Sequence, residues 1–314
     1  MQVSKAFSPA GISSFFEVCD HDPAGNPISD PARIGARGGG FALARGVTAR
    51  VTIRKHERTR VDISINSRPA PDAQTTRSAL EQLVNAGGFA GSVIVEIEVK
   101  VPISAGFGTS AAGTLASCLA FSDAANLPVS FNELGRITHV SEVLNRTGLG
   151  TTLALLCGGF VLVNEPGAPG IGLVDRLRFP EGHSVICAYL GSIQTRDALA
   201  KRVGGSRDVA AAKATLEAIR KDPSLSTFLR ESRKFGEQAG FETPRITRLI
   251  STMITAGAIG AAQNMIGEAV HGVVNDSEAA KVVKAVRRAF PEAKIFTSPI
   301  DRQGVRLLKS RAKH

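Results

Sequence analysis

A strand, a glycine-rich turn and a small-residue helix follow one another in the first half of the chain, and this order limits the fold more than any other stretch does. Over residues 92–101, valine and isoleucine alternate with charged residues, which predicts a half-buried strand. Residues 102–110 hold glycines and hydroxyls, and residues 111–125 are small and apolar, which predicts a buried helix. The chain therefore has to place a helix N-terminus directly beyond the end of a strand.

The turn has the features of an anion site. Gly106 and Gly108 permit positive φ and a close approach of the backbone to a ligand, and Thr109 and Ser110 stand where hydroxyls cap amides or reach a metal. Free N–H groups and the helix dipole favour an anion at this place. The turn is neither a Walker A loop nor a dinucleotide fingerprint, because the Gly-Lys-Ser/Thr and the three-glycine spacing are both absent. From the turn alone, a tight connection without a ligand remains the alternative.

The remaining elements mix strands and helices. Two alternating stretches, residues 47–53 and 61–65, predict a β-hairpin, and Ser130 with Glu133 predicts a capping box that starts a helix. Because strands and helices are segregated, an α+β fold is predicted. Further helices are predicted over 71–86, 207–221, 224–239, 244–256, 259–274 and 277–290, and further strands over 158–163, 184–190, 294–297 and 305–308.

Glycine and proline at residues 166–172 predict a domain boundary. We expect an N-terminal domain over residues 1–165, which would bind ATP, and a helix-rich α+β domain over residues 166–314.

Composition excludes several classes of protein. The 43% hydrophobic content is ordinary for a globular protein, and we expect a cytoplasmic protein without a membrane partner, because neither a long apolar span nor a signal-peptide core is present. The net charge of +10 would suit nucleic acid, but one Tyr and no Trp argue against base stacking, so no nucleic-acid partner is expected. The four cysteines form no CxxC pair, which argues against zinc and for a reducing compartment.

The turn resembles the second motif of the GHMP kinases, whose general form is Pro-x-x-x-Gly-Leu-Gly-Ser-Ser-Ala-Ala. Six positions match, and Phe107 and Thr109 replace Leu and the first Ser. Residues 8–17 resemble the first motif of the family, with Ala10 where Gly is usual. The resemblance implies a GHMP-kinase-like two-domain fold with mixed sheets and helices, and an enzyme that phosphorylates a small hydroxyl-bearing metabolite with ATP. It assigns ATP binding to Pro102, Ser104, Ala105, Gly106, Phe107, Gly108, Thr109, Ser110, Ala111 and Ala112.

Three further stretches resemble one archaeal branch of the family, whose members phosphorylate pantoate: residues 15–17 (FFE), 139–150 (HVSEVLNRTGLG) and 164–170 (NEPGAPG). This resemblance implies that ATP and (R)-pantoate give ADP and 4-phosphopantoate, in coenzyme A biosynthesis. The alternatives are a family member that acts on homoserine, mevalonate or a sugar, and a nucleotide-binding regulator without catalysis. A nucleic-acid-binding protein is supported by the charge alone. The sequence does not fix the oligomeric state, and a homodimer is one alternative.

The resemblance also implies roles for individual residues in catalysis. The resemblance implies Mg²⁺ bound by Ser110 and Glu142, since phosphoryl transfer depends on positioning and charge neutralisation. Many members carry an Asp near residue 150 as the base for the substrate hydroxyl, whereas this chain has Thr151 at that catalytic position. We therefore hypothesise that the enzyme works without a carboxylate base. Residues 297–304 are either the family's third motif, an active-site loop, or a plain hairpin connection.

The substrate carboxylate calls for a cation, ideally an arginine that binds it with two N–H groups. Three arginines near the family motifs are candidates, His21 is a further one, and two serines are candidates for the substrate hydroxyls. The candidates are Ser13, Ser14, His21, Arg33, Arg37 and Arg146.

Overall fold

Two β-sheets with helices packed on them make up the protein, as a computed structural model shows for residues 1–191, 206–265 and 267–309. The predicted α+β class is confirmed. The strands are β1 (Gln2–Cys19), β2 (Gly35–Lys55), β3 (Arg60–Ile65), β4 (Arg68–Pro69), β5 (Gly91–Val99), β6 (Phe160–Glu165), β7 (Leu173–Leu177), β8 (His183–Gly191), β9 (Gly260–Gln263), β10 (Glu268–Asn275), β11 (Lys294–Ser298) and β12 (Arg306–Leu307). The helices are α1 (Gln74–Ala86), α2 (Thr109–Ala124), α3 (Phe131–Asn145), α4 (Thr151–Cys157), α5 (Ser206–Lys221), α6 (Leu225–Gln238), α7 (Pro244–Thr255) and α8 (Ala279–Ala289).

The first sheet has eight strands and is organised by β2. Its strands follow the order β12-β1-β2-β5-β3-β4, and β6 pairs with β2 and with β7. The first half of β2 pairs with β6 and its second half with β5, while β1 runs antiparallel along its other edge. A side chain at Gly40 would clash with this pairing, because its Cβ would lie 1.7 Å from the carbonyl oxygen of Ile12. Glycine at this position therefore lets the two long strands meet.

The second sheet has four strands in the order β11-β8-β10-β9, and all its pairs are antiparallel. Helices α7 and α8 cover one of its faces through a buried aliphatic cluster. Its other face meets the first sheet through a second cluster, to which α5 and α6 also contribute. Phenylalanines dominate there: the rings of Phe41 and Phe160 stack at 4.9 Å, and Phe228 meets Phe160 edge-on at 4.6 Å.

The predicted hairpin of residues 47–53 and 61–65 is wrong. Both stretches are strands, but β5 lies between them, and β3 pairs with β5 in parallel from Arg60 opposite Ser92 to Ile65 opposite Ile97. An alternating pattern specifies which face of a strand is buried and not which strand pairs with it. The connection between β2 and β3 therefore spans the position of β5, which the chain reaches only after α1.

The helix predicted over residues 259–274 is wrong as well. The chain forms β9 and β10 there, joined by a short loop. Six consecutive residues of β10, from Ala269 to Val274, are buried, because this strand lies inside the sheet with helices on one face and the first sheet on the other. A strand buried on both faces loses its period of two, so its apolar run cannot be told from a helix by periodicity.

The predicted capping box at the start of α3 is confirmed. Ser130 Oγ accepts a hydrogen bond of 3.1 Å from the backbone N–H of Glu133, as the capping box predicts.

Residues 166–172 connect β6 to β7, which pair with each other in the first sheet, and β12 also joins that sheet. The division into two domains at residue 165 stays a prediction. In the described parts of the chain, no helix is long and apolar enough to cross a membrane.

The phenylalanine cluster generates a stability prediction. Phe228 on α6 is fully buried against Phe15, Phe41 and Phe160. Phe228→Ala is expected to lower the free energy of unfolding by about 3–5 kcal/mol, because it removes a large buried ring and leaves a cavity. Phe131→Ala, on α3, is the matched control, since that ring is 54% exposed and its loss should change the free energy by less than about 0.5 kcal/mol. Urea unfolding followed by circular dichroism measures both, and equal losses would contradict the assignment.

Candidate functional site

The glycine-rich turn leaves β5 and enters α2 in a conformation that only its residue types allow. Gly108 caps α2 in the left-handed region with φ of 58°, and a Cβ there would come within 2.7 Å of the Thr151 Cγ2. No side chain caps α2, so the first N–H groups of a 16-residue helix remain available to a ligand. Because nearly every later residue of α2 is buried, the small side chains that follow the turn let the helix pack closely. Such an N-terminus favours a phosphate.

Residues 8–17, which resemble the first motif, contact the turn. The backbone N–H of Gly11 donates a 3.1 Å hydrogen bond to the carbonyl oxygen of Phe107, whose ring is buried. Two residues along β1, the carbonyl oxygen of Ser13 accepts a 2.9 Å hydrogen bond from Met265 N–H. Strand β1 thus contacts both the turn and the loop between β9 and β10.

The described residues of that loop lie beside the turn, which the sequence did not predict. A Cβ on Gly267 would lie 2.7 Å from the carbonyl carbon and oxygen of Ala105, and one on Gly106 would lie 3.2 Å from Asn264 Cβ. The described residues of the loop therefore lie against the turn in van der Waals contact. Gly267 could have indicated this loop, because a glycine within the predicted helix of residues 259–274 argues against a continuous helix there.

The stretch proposed as a third motif, residues 297–304, fits neither of its two interpretations. It is no hairpin connection, because β11 belongs to the second sheet and β12 to the first. It packs against the C-terminal part of α4 and the residues that follow. The Gly159 N–H donates a hydrogen bond of 2.6 Å to the Asp301 carbonyl oxygen, and the N–H of the adjoining Val305 donates one of 3.0 Å to the Leu155 carbonyl oxygen. None of its residues, all of which the structure describes, lines either of the two cavities at the turn.

Two cavities lie beside the turn and share part of their lining. The first lies over the β1–β2 pairing and extends to the loop before α4. The second lies between the turn, the end of β5 and the N-terminus of α1, where Asp72, Gln74 and Thr75 line it. Four residues line both cavities, so a ligand in one can meet a ligand in the other at this place. These residues are Gly106, Gly108, Thr147 and Thr151.

Glu142 is a carboxylate buried at the second cavity. Its residue is 2% exposed, and burial raises the pKa of its carboxyl to about 7, although hydrogen bonds from Ser110 and Thr147 act in the opposite direction. The backbone of Gly148 approaches so closely that a Cβ would lie 2.4 Å from Glu142 Oε2. Within the part of the chain that the structure describes, no Lys or Arg forms an ion pair with it. A buried carboxylate with hydroxyl partners alone is suited to a cation.

Thr147 lies within the stretch 139–150, and its residue type alone predicts no role for it. Its hydroxyl lies 3.3 Å from Glu142 Oε1 and 2.9 Å from the hydroxyl of Thr75 at the start of α1. It therefore connects the carboxylate to the helix that borders the second cavity. The feature of the sequence that could have indicated this role is its position between Arg146 and Gly148, in the stretch that carries the family resemblance.

The first cavity receives two of the six predicted substrate residues, Ser13 and Arg37. Among the described residues that line it, Arg37 is the one charged side chain. Arg146 lies elsewhere: it ends α3 and lines the second cavity, so its placement does not agree with binding the substrate carboxylate in the first.

Two further candidates, His21 and Arg33, line neither cavity. Both lie in the exposed connection between β1 and β2, where they contact Asp20 at 2.8 Å and Asp30 at 3.7 Å. Their position does not support the predicted contact with substrate. His139, the first residue of the stretch 139–150, also lines neither cavity: its buried Nε2 lies 2.8 Å from the carbonyl oxygen of Ile34, and burial lowers its pKa.

Ser14, the sixth candidate, points into the core. Its buried hydroxyl lies 2.9 Å from His271 Nε2, and His271 Nδ1 lies 2.8 Å from Asn264 Oδ1. Burial lowers the pKa of His271 to about 3, so the imidazole is neutral and bridges the two sheets. Of these two neighbouring serines on β1, Ser13 lines the first cavity and Ser14 does not.

Comparison with known proteins reveals clear relatives. A sequence profile of the GHMP kinases N terminal domain matches residues 74–159. The chain is 30% identical over 299 residues to the pantoate kinase of Thermococcus kodakarensis, which covers 93% of this chain and 96% of the relative. It is 30% identical over 258 residues to the pantoate kinase of Methanospirillum hungatei, with 80% and 79% covered. A solved phosphotransferase related to the CoA biosynthesis pathway superposes with a TM-score of 0.85 at 25% identity, over 99% of this chain and 100% of that one.

Glu142 generates a pH prediction for the protein without ligands. Its pKa is raised from 4.5 to about 7, so this group opposes folding increasingly as the pH rises from about 4.5 to about 7, and fully above that range. Glu142→Gln removes the effect, and its stability relative to the wild type is expected to be about 2–3 kcal/mol more favourable at pH 8 than at pH 5. Urea unfolding with a chelator present measures the difference, and contributions from other titrating groups cancel because both proteins share them. A difference that does not change with pH would contradict this assignment.

Proposed function

The chain belongs to the GHMP kinase family, and on that premise we propose that it transfers the γ-phosphoryl group of ATP to the hydroxyl of (R)-pantoate, giving 4-phosphopantoate for coenzyme A biosynthesis. The observation that carries the proposal is the meeting of two cavities at a turn with a free helix N-terminus. A phosphoryl donor on one side of the turn and an acceptor on the other would meet at Gly106, Gly108, Thr147 and Thr151. The relatives named as pantoate kinases support the substrate.

We assign ATP to the second cavity. The turn and the first N–H groups of α2 border it, and they would hold the phosphates, because backbone donors and the helix dipole both stabilise negative charge. Ile65, Ile97 and Val99 provide apolar surface on its far side, against which a base can lie. In a loose transition state the charge of the transferring phosphoryl group is spread over its three equatorial oxygens, and the fixed N–H groups of the turn would stabilise this charge.

Mg²⁺ fits the buried carboxylate. Ser110 and Glu142 would hold it, since Glu142 lacks a cationic partner among the described residues and a hydroxyl already hydrogen-bonds to it. The described residues contain no cluster of three or more His, Cys, Asp or Glu side chains, which agrees with the few protein ligands that Mg²⁺ takes beside phosphate oxygens. When bound, the ion would neutralise phosphate charge.

Arg37 is our candidate for the substrate carboxylate. It lines the first cavity among glycines and apolar side chains, so a carboxylate that enters there has this one described cation to bind. Ser13 on the neighbouring strand lines the same cavity and is our candidate for a substrate hydroxyl. The apolar remainder, including Phe15, Val161 and Met265, suits the branched carbon skeleton of pantoate.

We place the enzyme in the cytoplasm. Its four cysteines, Cys19, Cys118, Cys157 and Cys187, are all free thiols, which suits a reducing compartment with a supply of ATP.

An assay of ADP release tests the function. Purified protein with ATP and Mg²⁺ is offered pantoate, homoserine, mevalonate and a hexose, and phosphorus NMR identifies the product. We expect turnover with pantoate, and a loss of about 100-fold or more in kcat for Ser110→Ala and Glu142→Gln, because both act on transition-state charge. Turnover with homoserine or mevalonate but not with pantoate would contradict the substrate, and ATP binding without turnover would favour a regulator.

Thr151 generates a prediction about the missing base. It lies where both cavities meet, and its methyl group packs beside Gly11 and Gly108. Thr151→Ala is expected to keep kcat within about tenfold of the wild type, whereas removal of a general base typically costs 10²–10⁴-fold. Thr151→Val is the matched control, because it keeps the methyl contacts and removes only the hydroxyl. Complete loss of turnover in both folded variants would contradict catalysis without a base at this position.

A further inference from the structure

Arg37 is held by two glutamates in the protein without ligands. Its Nη1 lies 3.5 Å from Glu17 Oε2 and its Nη2 lies 3.3 Å from Glu165 Oε2. Neither glutamate lines the first cavity, although both lie on strands that border it. The guanidinium assigned to the substrate carboxylate is therefore already engaged by two carboxylates of the chain itself.

The two glutamates differ in how firmly they are held. Glu17 is 7% exposed and has a second partner in Lys213 of α5, at 3.9 Å. Glu165 ends β6 with a side chain that is 53% exposed, and Arg37 is its recorded ion-pair partner in the described chain. Exposed ion pairs contribute little free energy, whereas a buried carboxylate strongly requires its partner. Glu17 is thus a fixed counter-ion, and Glu165 can be displaced at small cost.

The geometry of the guanidinium places the Glu165 contact on a nitrogen that the substrate carboxylate also needs. Arginine binds a carboxylate at two points along one of two edges, Nη1 with Nη2 or Nε with Nη2. Both edges include Nη2, which is the nitrogen that Glu165 contacts. A substrate carboxylate that binds Arg37 at two points has to share this nitrogen with Glu165 or replace it.

The balance of charge points the same way. Arg37 and Lys213 contribute two positive charges to this group, and Glu17 and Glu165 contribute two negative charges, so the four groups sum to zero. A substrate carboxylate at Arg37 adds a negative charge within a few ångströms of Glu165. Like charges at that separation repel, which favours the outward movement of the exposed one.

We propose that Glu165 is an internal competitor for Arg37: it occupies this arginine until a substrate carboxylate takes its place, an inference that rests on the proposed function. A ligand has to carry a carboxylate to replace the one that leaves. A neutral analogue would leave Glu165 on Arg37 and gain nothing from the arginine. Glu165 therefore lowers the affinity for carboxylate substrates by competing with them, and it leaves the affinity for neutral analogues unchanged.

Glu165→Gln tests the competition. The KM for pantoate is expected to fall roughly two- to fivefold, the range of an exposed ion pair, while the KM for ATP stays unchanged. Glu96→Gln is the matched control, since Glu96 is 51% exposed and is paired with Arg50 on the outer face of the first sheet. It removes the same charge away from both cavities and should leave the KM for pantoate unchanged. If Glu165 instead orients Arg37 for the substrate, the KM for pantoate rises in Glu165→Gln, and the proposal is overturned.

A double-mutant cycle with Arg37 completes the test. Arg37→Gln should raise the KM for pantoate, and in that background Glu165→Gln should have no further effect, because the competing pair no longer exists. Equal effects of Glu165→Gln with and without Arg37 would show an unspecific charge effect and overturn the proposal. An analogue of pantoate with a carboxamide in place of the carboxylate should show no gain from Glu165→Gln. A wild type that turns over pantoate while Glu165→Gln changes nothing overturns this inference alone, whereas a wild type without turnover overturns the proposed function as well.

Discussion

The hydrogen bond from the Gly11 amide to the Phe107 carbonyl oxygen joins the phosphate-binding turn to the first sheet, and the rest of the site depends on it. It fixes the turn above β1, and β1 in turn contacts the β9–β10 loop through Ser13 and Met265. Glycine at 267 lets this loop approach the turn, because a Cβ there would lie 2.7 Å from the carbonyl carbon and oxygen of Ala105. Both cavities are lined by residues of the turn.

The turn, the capping box and most helices could be predicted because their causes are local. Gly108 and Ser130 act within a few residues of their own positions, and the sequence pattern shows them directly. The partner of β3 and the role of the β9–β10 loop could not be predicted, because they depend on strand pairing and on sheet packing between distant segments. For the same reason three arginines near the motifs looked alike, and only the fold placed Arg37 in the first cavity.

Buried polar groups divide into two kinds in this molecule. The chain of Ser14, His271 and Asn264 is a neutral bridge between the sheets, and burial keeps its imidazole uncharged. Glu142 has only hydroxyl partners among the described residues, and burial raises its pKa more than these partners lower it. A satisfied network stabilises one arrangement of the core, whereas a carboxylate with incomplete partners gains most from a bound cation.

The placement of β12 has a consequence for the synthesis of the protein. Residues 306 and 307 pair with Phe7 and Ala6, so two segments that are far apart in the sequence meet at one edge of the first sheet. While the ribosome is still adding the second sheet, this part of β1 has no strand beside it and presents free N–H and C=O groups. Residues 306 and 307 have to be made before this part of the edge can pair. A nascent chain that stalls before residue 306 would expose a ready template for pairing with its neighbours.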